Sequence, residues 1–321
     1  MTTTAEPRRR RKGGGGERRM VPPAKFTSYY GRPVLKASPW EKEIPAYLFL
    51  GGLAAGSSLL GAGADLTGRP ALRRASRITA FAGITVSFGA LVKDLGRPER
   101  FANMLRVAKP SSPMSVGTWI LTVYGPLAGA AAAAELPLPG VLGRLTRLLG
   151  RPAGLAAAAV APAVASYTAV LLSDTATPTW HDAHRHLPFV FVGSAAAASG
   201  GMALVLAPLG ETGPARRLAV GGAVLELAVE RQMEQAMGLT AEPLHEGRPG
   251  QLMRASRALT AAGALGAMLG RRSRVLSAVS GAALVAGSAC TRFGVFEAGQ
   301  ESARDPRYTV VPQRERLQRR G

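Results

Sequence analysis

Long uncharged segments recur along the chain, separated by short stretches rich in arginine, lysine, glycine and proline. Four of these segments contain no charged residue at all: residues 44–64, 114–134, 153–173 and 187–210. Each is long enough to span a bilayer, because a helix needs about 20 predominantly apolar residues to cross ~30 Å of hydrocarbon. The pattern predicts an all-α, polytopic membrane protein.

Four further segments are shorter or border on charged residues, and they complete the predicted set of transmembrane helices. They are residues 78–92, 218–225, 258–270 and 275–291. Flanking arginines and lysines can lengthen such helices by reaching from the apolar region to the membrane surface. We therefore predict about eight transmembrane helices in a bundle.

The ends of the chain differ in composition from its apolar middle. Residues 1–43 open with runs of arginine and glycine, cannot bury a core, and are predicted to form a disordered, basic cytoplasmic tail. No apolar segment with a small-residue cleavage site follows closely, so no signal peptide is predicted. The predicted organisation continues with an eight-helix membrane domain at 44–297 and a polar, basic C-terminal tail at 298–321.

The net charge of +20 invites a nucleic-acid interpretation, but its distribution favours a membrane topology. Lysines and arginines concentrate in the tails and between the apolar runs, where the positive-inside rule places them. The loops of the two sides share them nearly evenly, so the basic tails decide the orientation. We predict a multi-pass protein of the cell membrane with both termini in the cytoplasm and no nucleic-acid partner.

Residues that hold redox cofactors are scarce. The single cysteine, Cys290, lies within an apolar run and cannot by itself hold an iron–sulfur cluster. Haem b in membrane quinone enzymes is held by histidines inside helices, and no predicted helix here contains a histidine pair. The four histidines lie in predicted loops: His181, His184, His186 and His245. We predict that this chain binds neither haem nor an iron–sulfur cluster.

The segment at residues 180–186, WHDAHRH, contains possible metal ligands between two predicted helices. His181 and His184 are three residues apart, and Asp182 could add an oxygen ligand. Tryptophan and histidine also mark the interfacial belt of membrane proteins, and the intervening Arg185 opposes a cation. The interfacial interpretation is favoured, and no metal site is predicted.

Three short motifs carry a resemblance to a known family. They are KDLGRPERF at residues 93–101, SPMSVGTW at 112–119 and TRFGVFEAG at 291–299. Through them, residues 40–300 resemble the NrfD family of polysulfide-reductase-type membrane anchors. Members of that family exchange electrons between quinone and an iron–sulfur protein.

The resemblance implies an eight-helix membrane anchor and quinone-interacting subunit of a respiratory oxidoreductase complex. Its substrate would be menaquinone or ubiquinone. Its partners would be a four-cluster ferredoxin-like iron–sulfur subunit, a molybdopterin catalytic subunit and the lipid bilayer. Two alternatives stay open: a secondary transporter, since buried carboxylates and broken helices also suit coupled transport, and a structural anchor without a quinone site.

Four residues are candidates for contacts with a quinone. Tyr167 and Asp174 are seven residues apart on the predicted fourth helix and therefore share a face of it. A tyrosine hydroxyl can hold a quinone oxygen, and a carboxylate can exchange its proton. The resemblance implies a tyrosine on this helix, which Tyr167 matches; the alternative is an ordinary packing residue. Trp180 and His181, just beyond the helix, are predicted to border the headgroup or relay its protons.

Charged residues beside apolar segments are candidates for proton transfer and for docking. Glu226 lies near membrane depth, where a charge is costly and therefore suggests a function. Asp94 lies just after the end of the predicted second helix. Both are predicted to lie on a proton path; the alternative for Glu226 is a solvated helical extension. Asp94, Arg97, Glu99 and Arg100 are predicted to dock the partner through complementary charge, and the alternative is a helix stop with interfacial charges.

Overall fold

The computed structural model describes residues 33–94, 99 and 101–320, and no strand occurs in this part of the chain. Its long helices are α1 Glu43–Leu66, α2 Pro70–Asp94, α4 Pro113–Ala133, α5 Gly140–Ser173, α7 Leu187–Leu206, α8 Gly213–Met237, α9 Gly247–Leu269 and α10 Arg274–Arg304. Shorter helices are α3 Phe101–Met104, α6 Pro178–Asp182 and α11 Arg307–Arg320. The predicted all-α class is confirmed for these residues. The predicted basic tail lies, up to residue 32, outside the described residues.

Six of the long helices in the described chain are long and apolar enough to cross a membrane: α1, α2, α4, α5, α7 and α10. The other two, α8 and α9, have the length but carry several charged residues. The protein is a multi-pass membrane protein. Of the eight predicted crossings, composition supports six.

The long helices run alternately up and down, so their ends lie at two faces of the bundle. At one face α1 begins and α2 ends, and Lys93 Nζ lies 2.7 Å from Glu43 Oε1. The end of α10 lies there too, where Gln300 Nε2 donates a hydrogen bond to Trp40 O (3.2 Å). We call this the terminal face, and the end that holds the α1–α2, α4–α5, α7–α8 and α9–α10 connections the opposite face. Which of them is cytoplasmic stays a prediction.

The long helices form two groups of four that meet along α1 and α7. The first half consists of α1, α2, α4 and α5, and the second half of α7, α8, α9 and α10. At the α1–α7 contact the backbones approach closely, because a Cβ at Gly56 would lie 2.8 Å from Ala195 O. A Cβ at Gly52, one turn away, would lie 3.3 Å from Ala195 Cβ. Glycines four residues apart thus let the two halves join without a gap.

The start of α2 corrects the predicted helix at residues 78–92, which left Arg73 and Arg77 outside it. The helix begins at Pro70, eight residues before the predicted start, and carries both arginines. Arg73 Nε lies 2.7 Å from Glu135 Oε1, and Arg77 Nη2 lies 3.4 Å from Asp65 Oδ2. Because carboxylates of neighbouring segments replace water around these charges, the arginines extend the helix instead of ending it.

Several other helices are also longer than predicted. α8 continues to Met237, and Glu226 and Glu230 are buried on it rather than solvated on an extension. α5 and α9 begin 13 and 11 residues before their predicted starts. α10 continues to Arg304, so helix occupies the positions at which the polar C-terminal tail was predicted to begin.

Candidate functional site

Tyr167 lies on α5 inside the first half, with its side chain against α4. It is 7% exposed, and its ring lies so close to Gly117 that a Cβ at that position would overlap it. Among the described residues, none forms a hydrogen bond with the Tyr167 hydroxyl. A buried hydroxyl without a partner is costly, so this group marks a place where a polar atom of a ligand or a water molecule is stabilised.

The other buried tyrosines of the first half provide a comparison. Tyr124 of α4 is fully buried, but its Oη lies 2.7 Å from Ser58 Oγ of α1. Tyr47 of α1 is also buried, and its carbonyl oxygen accepts a hydrogen bond from Ser87 Oγ (3.0 Å). Both tyrosines are buried, but the Tyr124 hydroxyl has a hydrogen-bond partner and the Tyr167 hydroxyl has none among the described residues.

Asp174 and His181 lie together at the terminal face, at the end of α5 and in α6. Both are exposed, and His181 Nδ1 lies 3.3 Å from Ser173 O. Together with residues of α11 they line a cavity of about 480 Å³. Tyr167 is not among the described residues that line it, and it lies two helical turns deeper, ~10 Å along α5. The structure thus brings Asp174 and His181 together and keeps Tyr167 inside the bundle.

Asp182, which offers an oxygen ligand in the sequence, has a structural partner. Thr240 Oγ1 donates to Asp182 Oδ2 (2.8 Å), and Thr179 Oγ1 donates to Thr240 O (2.8 Å). These bonds tie α6 to the turn that follows α8. The remaining histidines lie in turns, at positions 184, 186 and 245. Within the described ranges, no three His, Cys, Asp or Glu side chains group as metal ligands.

Trp180 has a structural place that sequence reasoning missed. Its Nε1 donates to Val295 O (2.8 Å), its ring stacks 6.0 Å from Trp40, and Phe296 lies 5.5 Å away on α10. Gly299 leaves room for the ring, since a Cβ there would overlap it. The one polar hydrogen of the indole is used within the protein, so Trp180 has none to donate to a quinone oxygen. The TRFGVFEAG motif thus supplies the α10 surface on which α6 packs.

The predicted docking segment is described only in part. Asp94 is the last residue of α2 and is partly buried at the terminal face, and Glu99 is exposed. Arg97 and Arg100 lie outside the described residues. The neighbouring Lys93 pairs with Glu43, which fixes the end of α2 to the start of α1. The docking role of this segment stays a prediction.

Glu226 lies in the middle of the second half and is 0% exposed. Its Oε1 accepts a hydrogen bond from Thr291 Oγ1 of α10 (2.6 Å), and that hydroxyl lies 2.6 Å from Ser256 Oγ of α9. No group among the described residues forms a hydrogen bond with Glu226 Oε2. The carboxylate therefore keeps one unfilled acceptor inside a helix bundle.

Arg292 is the other charge buried at this level. Its Nη2 donates to Phe191 O (2.7 Å), and its guanidinium lies 3.7 Å above the centre of the Phe191 ring. Its Nε and Nη1 have no hydrogen-bond partner in the described part of the chain. A Cβ at Gly52 of α1 would lie 3.3 Å from Nη2, so the guanidinium lies where α1, α7 and α10 meet. Sequence reasoning missed this residue because it placed Arg292 beyond the last helix.

Glu230 and Glu234 continue the line of carboxylates from Glu226 towards the terminal face. Arg257 of α9 pairs with both: its Nε lies 2.8 Å from Glu230 Oε1, and its Nη2 contacts Glu234 Oε1. His245 Nε2 lies 3.7 Å from Glu234 Oε2. The four-residue spacing of the carboxylates was visible in the sequence. Their partners were not, because Arg257 and His245 come from α9 and the turn before it.

The fold and these sites define the class: an α-helical, multi-pass membrane protein whose bundle encloses buried carboxylates and a tyrosine hydroxyl without a partner among the described residues. The family described as polysulphide reductase, NrfD, matches residues 34–237. That match covers more than half of the chain, and the chain belongs to the NrfD family. It includes the KDLGRPERF and SPMSVGTW motifs and ends with α8, whereas TRFGVFEAG lies beyond it. Comparison with curated proteins gave no match.

Membership in this family establishes the general kind of protein. NrfD proteins are membrane anchor subunits of oxidoreductases and generally partner with iron–sulfur and molybdopterin oxidoreductase subunits. The resemblance that the sequence motifs indicated is thereby confirmed.

Proposed function

We propose that this protein is the quinone-interacting membrane anchor of an oxidoreductase complex and exchanges electrons between the quinone pool and an iron–sulfur subunit. The observation that carries the proposal is the buried Tyr167 hydroxyl, which has no hydrogen-bond partner in the part of the chain that the structure describes. Menaquinone and ubiquinone each have two carbonyl oxygens, and a phenolic O–H can donate to one of them. The apolar surroundings of Tyr167 suit the quinone ring.

The residues of this chain would bind the quinone and move protons, while the iron–sulfur partner takes the electrons. Oxidation of one quinol releases two electrons and two protons. Tyr167 holds a ring oxygen, and the protons leave by way of water, Asp174 and His181 towards the cavity at the terminal face. A carboxylate and an imidazole can each accept and pass on a proton, so both groups suit this role. Reduction of quinone uses the same steps in reverse.

The proposed partners are a four-cluster ferredoxin-like iron–sulfur subunit and, through it, a molybdopterin catalytic subunit. We place the iron–sulfur subunit at the terminal face, on the segment that includes Asp94 and Glu99. Support comes from the position of Asp94, which lies at the same face as Asp174 and His181. A short distance between quinone and cluster favours a common face for both.

The test compares two buried tyrosines of the first half in complexes reconstituted into lipid nanodiscs. Tyr167→Phe removes a hydroxyl without a partner, and Tyr124→Phe removes one that is bonded to Ser58. Because the loss of one hydrogen bond costs ~1 kcal/mol, Tyr167→Phe is expected to weaken quinone binding about fivefold and to slow quinol-dependent electron transfer. Tyr124→Phe should leave quinone affinity unchanged. Transfer between artificial dyes and the soluble subunits should stay normal in both variants.

Wild-type quinone affinity in Tyr167→Phe would place the pocket elsewhere in the protein. The same preparations separate the alternative functions. Iron, molybdenum and stoichiometric soluble subunits in the purified material support the anchor, whereas a solitary protein that binds a small solute favours a transporter. A complete complex that binds no quinone would indicate a purely structural anchor.

A further inference from the structure

The second half buries two carboxylates that take no part in the proposed quinone pocket. Glu226 and Glu230 are 0% and 1% exposed, and Oε2 of each has no hydrogen-bond partner among the described residues. An ionised carboxylate that lacks full hydrogen bonding is costly to bury, and a neutral one much less so. Ionisable groups at membrane depth are therefore candidates for binding and releasing a proton.

A line of polar groups connects these carboxylates to the terminal face. Glu226, Glu230 and Glu234 recur every four residues, ~6 Å apart along α8, and so lie on one face of the helix. Arg257 bridges Glu230 and Glu234, and His245 lies 3.7 Å from Glu234 with about half of its side chain exposed. These groups, apart from Glu226, line a surface cavity of about 500 Å³. The line therefore begins in water and ends inside the bundle.

Towards the opposite face, α7 and α8 pack in direct backbone contact. Gly222, one turn before Glu226, packs so closely that a Cβ there would lie 2.6 Å from Gly193 O. Two turns nearer the start of α8, Ala215 approaches α7 equally closely, because a Cβ at Gly200 of α7 would lie 2.6 Å from Ala215 O. Backbones at this distance leave no space for a water molecule between them. α7 also carries no ionisable residue along its whole length.

The groups that face Glu226 come from every helix packed around it. α10 contributes Arg292, whose Nε and Nη1 have no partner in the described structure, and α7 contributes the hydroxyl of Ser194, which donates to Ser288 Oγ (2.8 Å). α9 contributes Ser256 and, nearer the terminal face, Arg257. The positive charge of Arg292 favours the ionised form of Glu226, whereas burial favours the neutral form. A group held between these opposing influences can both take up and release a proton.

We infer that Glu226 and Glu230 form a proton-loading half-channel that opens to the terminal face and is closed towards the opposite face. A proton enters at His245, passes by Glu234 to Glu230, and is held at Glu226; no covalent or redox step is involved. The inference goes beyond the proposed quinone function, because these residues belong to the second half and their protonation needs no quinone.

The test uses the full-length protein, stripped of quinone and reconstituted in a single orientation into a supported membrane. The pH is changed on one side at a time, and infrared difference spectra record the C=O band of protonated carboxyl groups. Lowering the pH at the terminal face is expected to raise a band that Glu226→Gln removes. The protonated fraction of a titrating group changes by up to about tenfold per pH unit, so the effect is measurable. The same change at the opposite face should leave this band unaltered.

Two carboxylate variants at the terminal face test the route. Glu234→Gln, on the line, is expected to slow the rise of the Glu226 band several-fold. Glu301→Gln, which breaks an exposed pair with Arg304 away from the line, should leave the rate unchanged.

Three results would overturn the half-channel: a Glu226 band that follows the pH of the opposite face, a band that persists in Glu226→Gln, or no pH-dependent band that this substitution removes. None of these results depends on Tyr167, because the preparation contains no quinone. A failed quinone pocket and a failed half-channel are therefore separate outcomes.

Discussion

The two halves of the bundle share the same antiparallel helix packing but bury different polar groups. In the first half the deeply buried groups include hydroxyls such as those of Tyr167 and Ser58, and a cluster of charges lies near the opposite face. In the second half charged side chains lie at mid-depth, including Glu226, Glu230 and Arg292. Hydroxyls between apolar walls suit a neutral ring, whereas a proton needs a group that can change its charge. This difference is why we place the quinone site in the first half and the proton-loading carboxylates in the second half.

The charge cluster of the first half pairs both of its carboxylates with arginines, whereas Glu226 of the second half has no ion pair among the described residues. Arg77 Nη1 lies 2.9 Å from Glu135 Oε1, and its Nη2 lies 3.4 Å from Asp65 Oδ2. Arg73 Nε lies 2.7 Å from the same Glu135 oxygen. Gly154 of α5 leaves space for the guanidinium, since a Cβ there would lie 2.8 Å from Arg77 Nη2. With both carboxylates paired, this cluster fastens α2 to its neighbours instead of binding a proton.

The largest expected effect comes from opening this cluster. Arg77→Met leaves Asp65 and Glu135 with one arginine fewer, and removing one partner of a buried ion pair typically costs ~3–5 kcal/mol. We expect the free energy of unfolding in mild detergent to fall by about that amount. Arg74→Met changes an exposed arginine of the same helix and should alter stability by less than ~0.5 kcal/mol. Equal stability of the two variants would mean that water, rather than protein, stabilises the cluster.

A second prediction concerns which half carries the iron–sulfur subunit. Asp94→Asn, at the terminal face of the first half, is combined with Arg97→Ala, because truncating docking charges typically costs ~2–5 kcal/mol of binding. The tagged double variant should therefore lose the subunit in mild detergent, measured as iron in the pull-down, while the anchor stays folded. Arg248→Ala is the control, because it breaks an ion pair with Glu297 (3.3 Å) at the terminal face of the second half. If the control releases the subunit and the double variant retains it, the docking surface belongs to the second half.

The smallest expected effect distinguishes two tyrosines within the first half in the absence of quinone. Tyr124→Phe removes the bond to Ser58 and should lower the free energy of unfolding by ~1 kcal/mol. Tyr167→Phe removes a hydroxyl without a partner and should leave stability unchanged or raise it slightly. Thermal unfolding of quinone-free protein in one detergent compares them directly. If Tyr167→Phe lowers the free energy of unfolding as much as Tyr124→Phe does, the Tyr167 hydroxyl is hydrogen-bonded even in the absence of a ligand.

Helix positions were predictable where apolar composition alone decides them. The predicted helix 114–134 lies within one residue of α4 at both ends. α2 and α8 were predicted too short because the predicted helices were limited to uncharged residues, which excluded Arg73 and Glu226. Their partners, Glu135 and Thr291, lie 62 and 65 residues away along the chain. A charge whose partner lies so far away along the chain does not end a helix, and a local pattern contains no sign of that partner.

The candidate site was predictable by residue type but not by environment. Tyr167 and Glu226 stand out because a tyrosine or a carboxylate in or beside an apolar run can be recognised in the sequence alone. Trp180 also stood out, yet the structure uses its indole hydrogen for Val295. The sequence had no sign that Arg257 would lie between two carboxylates of another helix.

Local composition is enough to show that the chain spans a membrane and which residues are able to exchange a proton or hold a polar ligand. Which of these residues are paired, and which keep an unfilled hydrogen bond among the described residues, depends on how the helices pack. Tyr124 and Tyr167 are the same residue type on adjacent helices, and Ser58 of a third helix satisfies one of them and not the other. Such differences arise because hydrogen bonds and ion pairs in a helix bundle form between side chains that are distant along the chain.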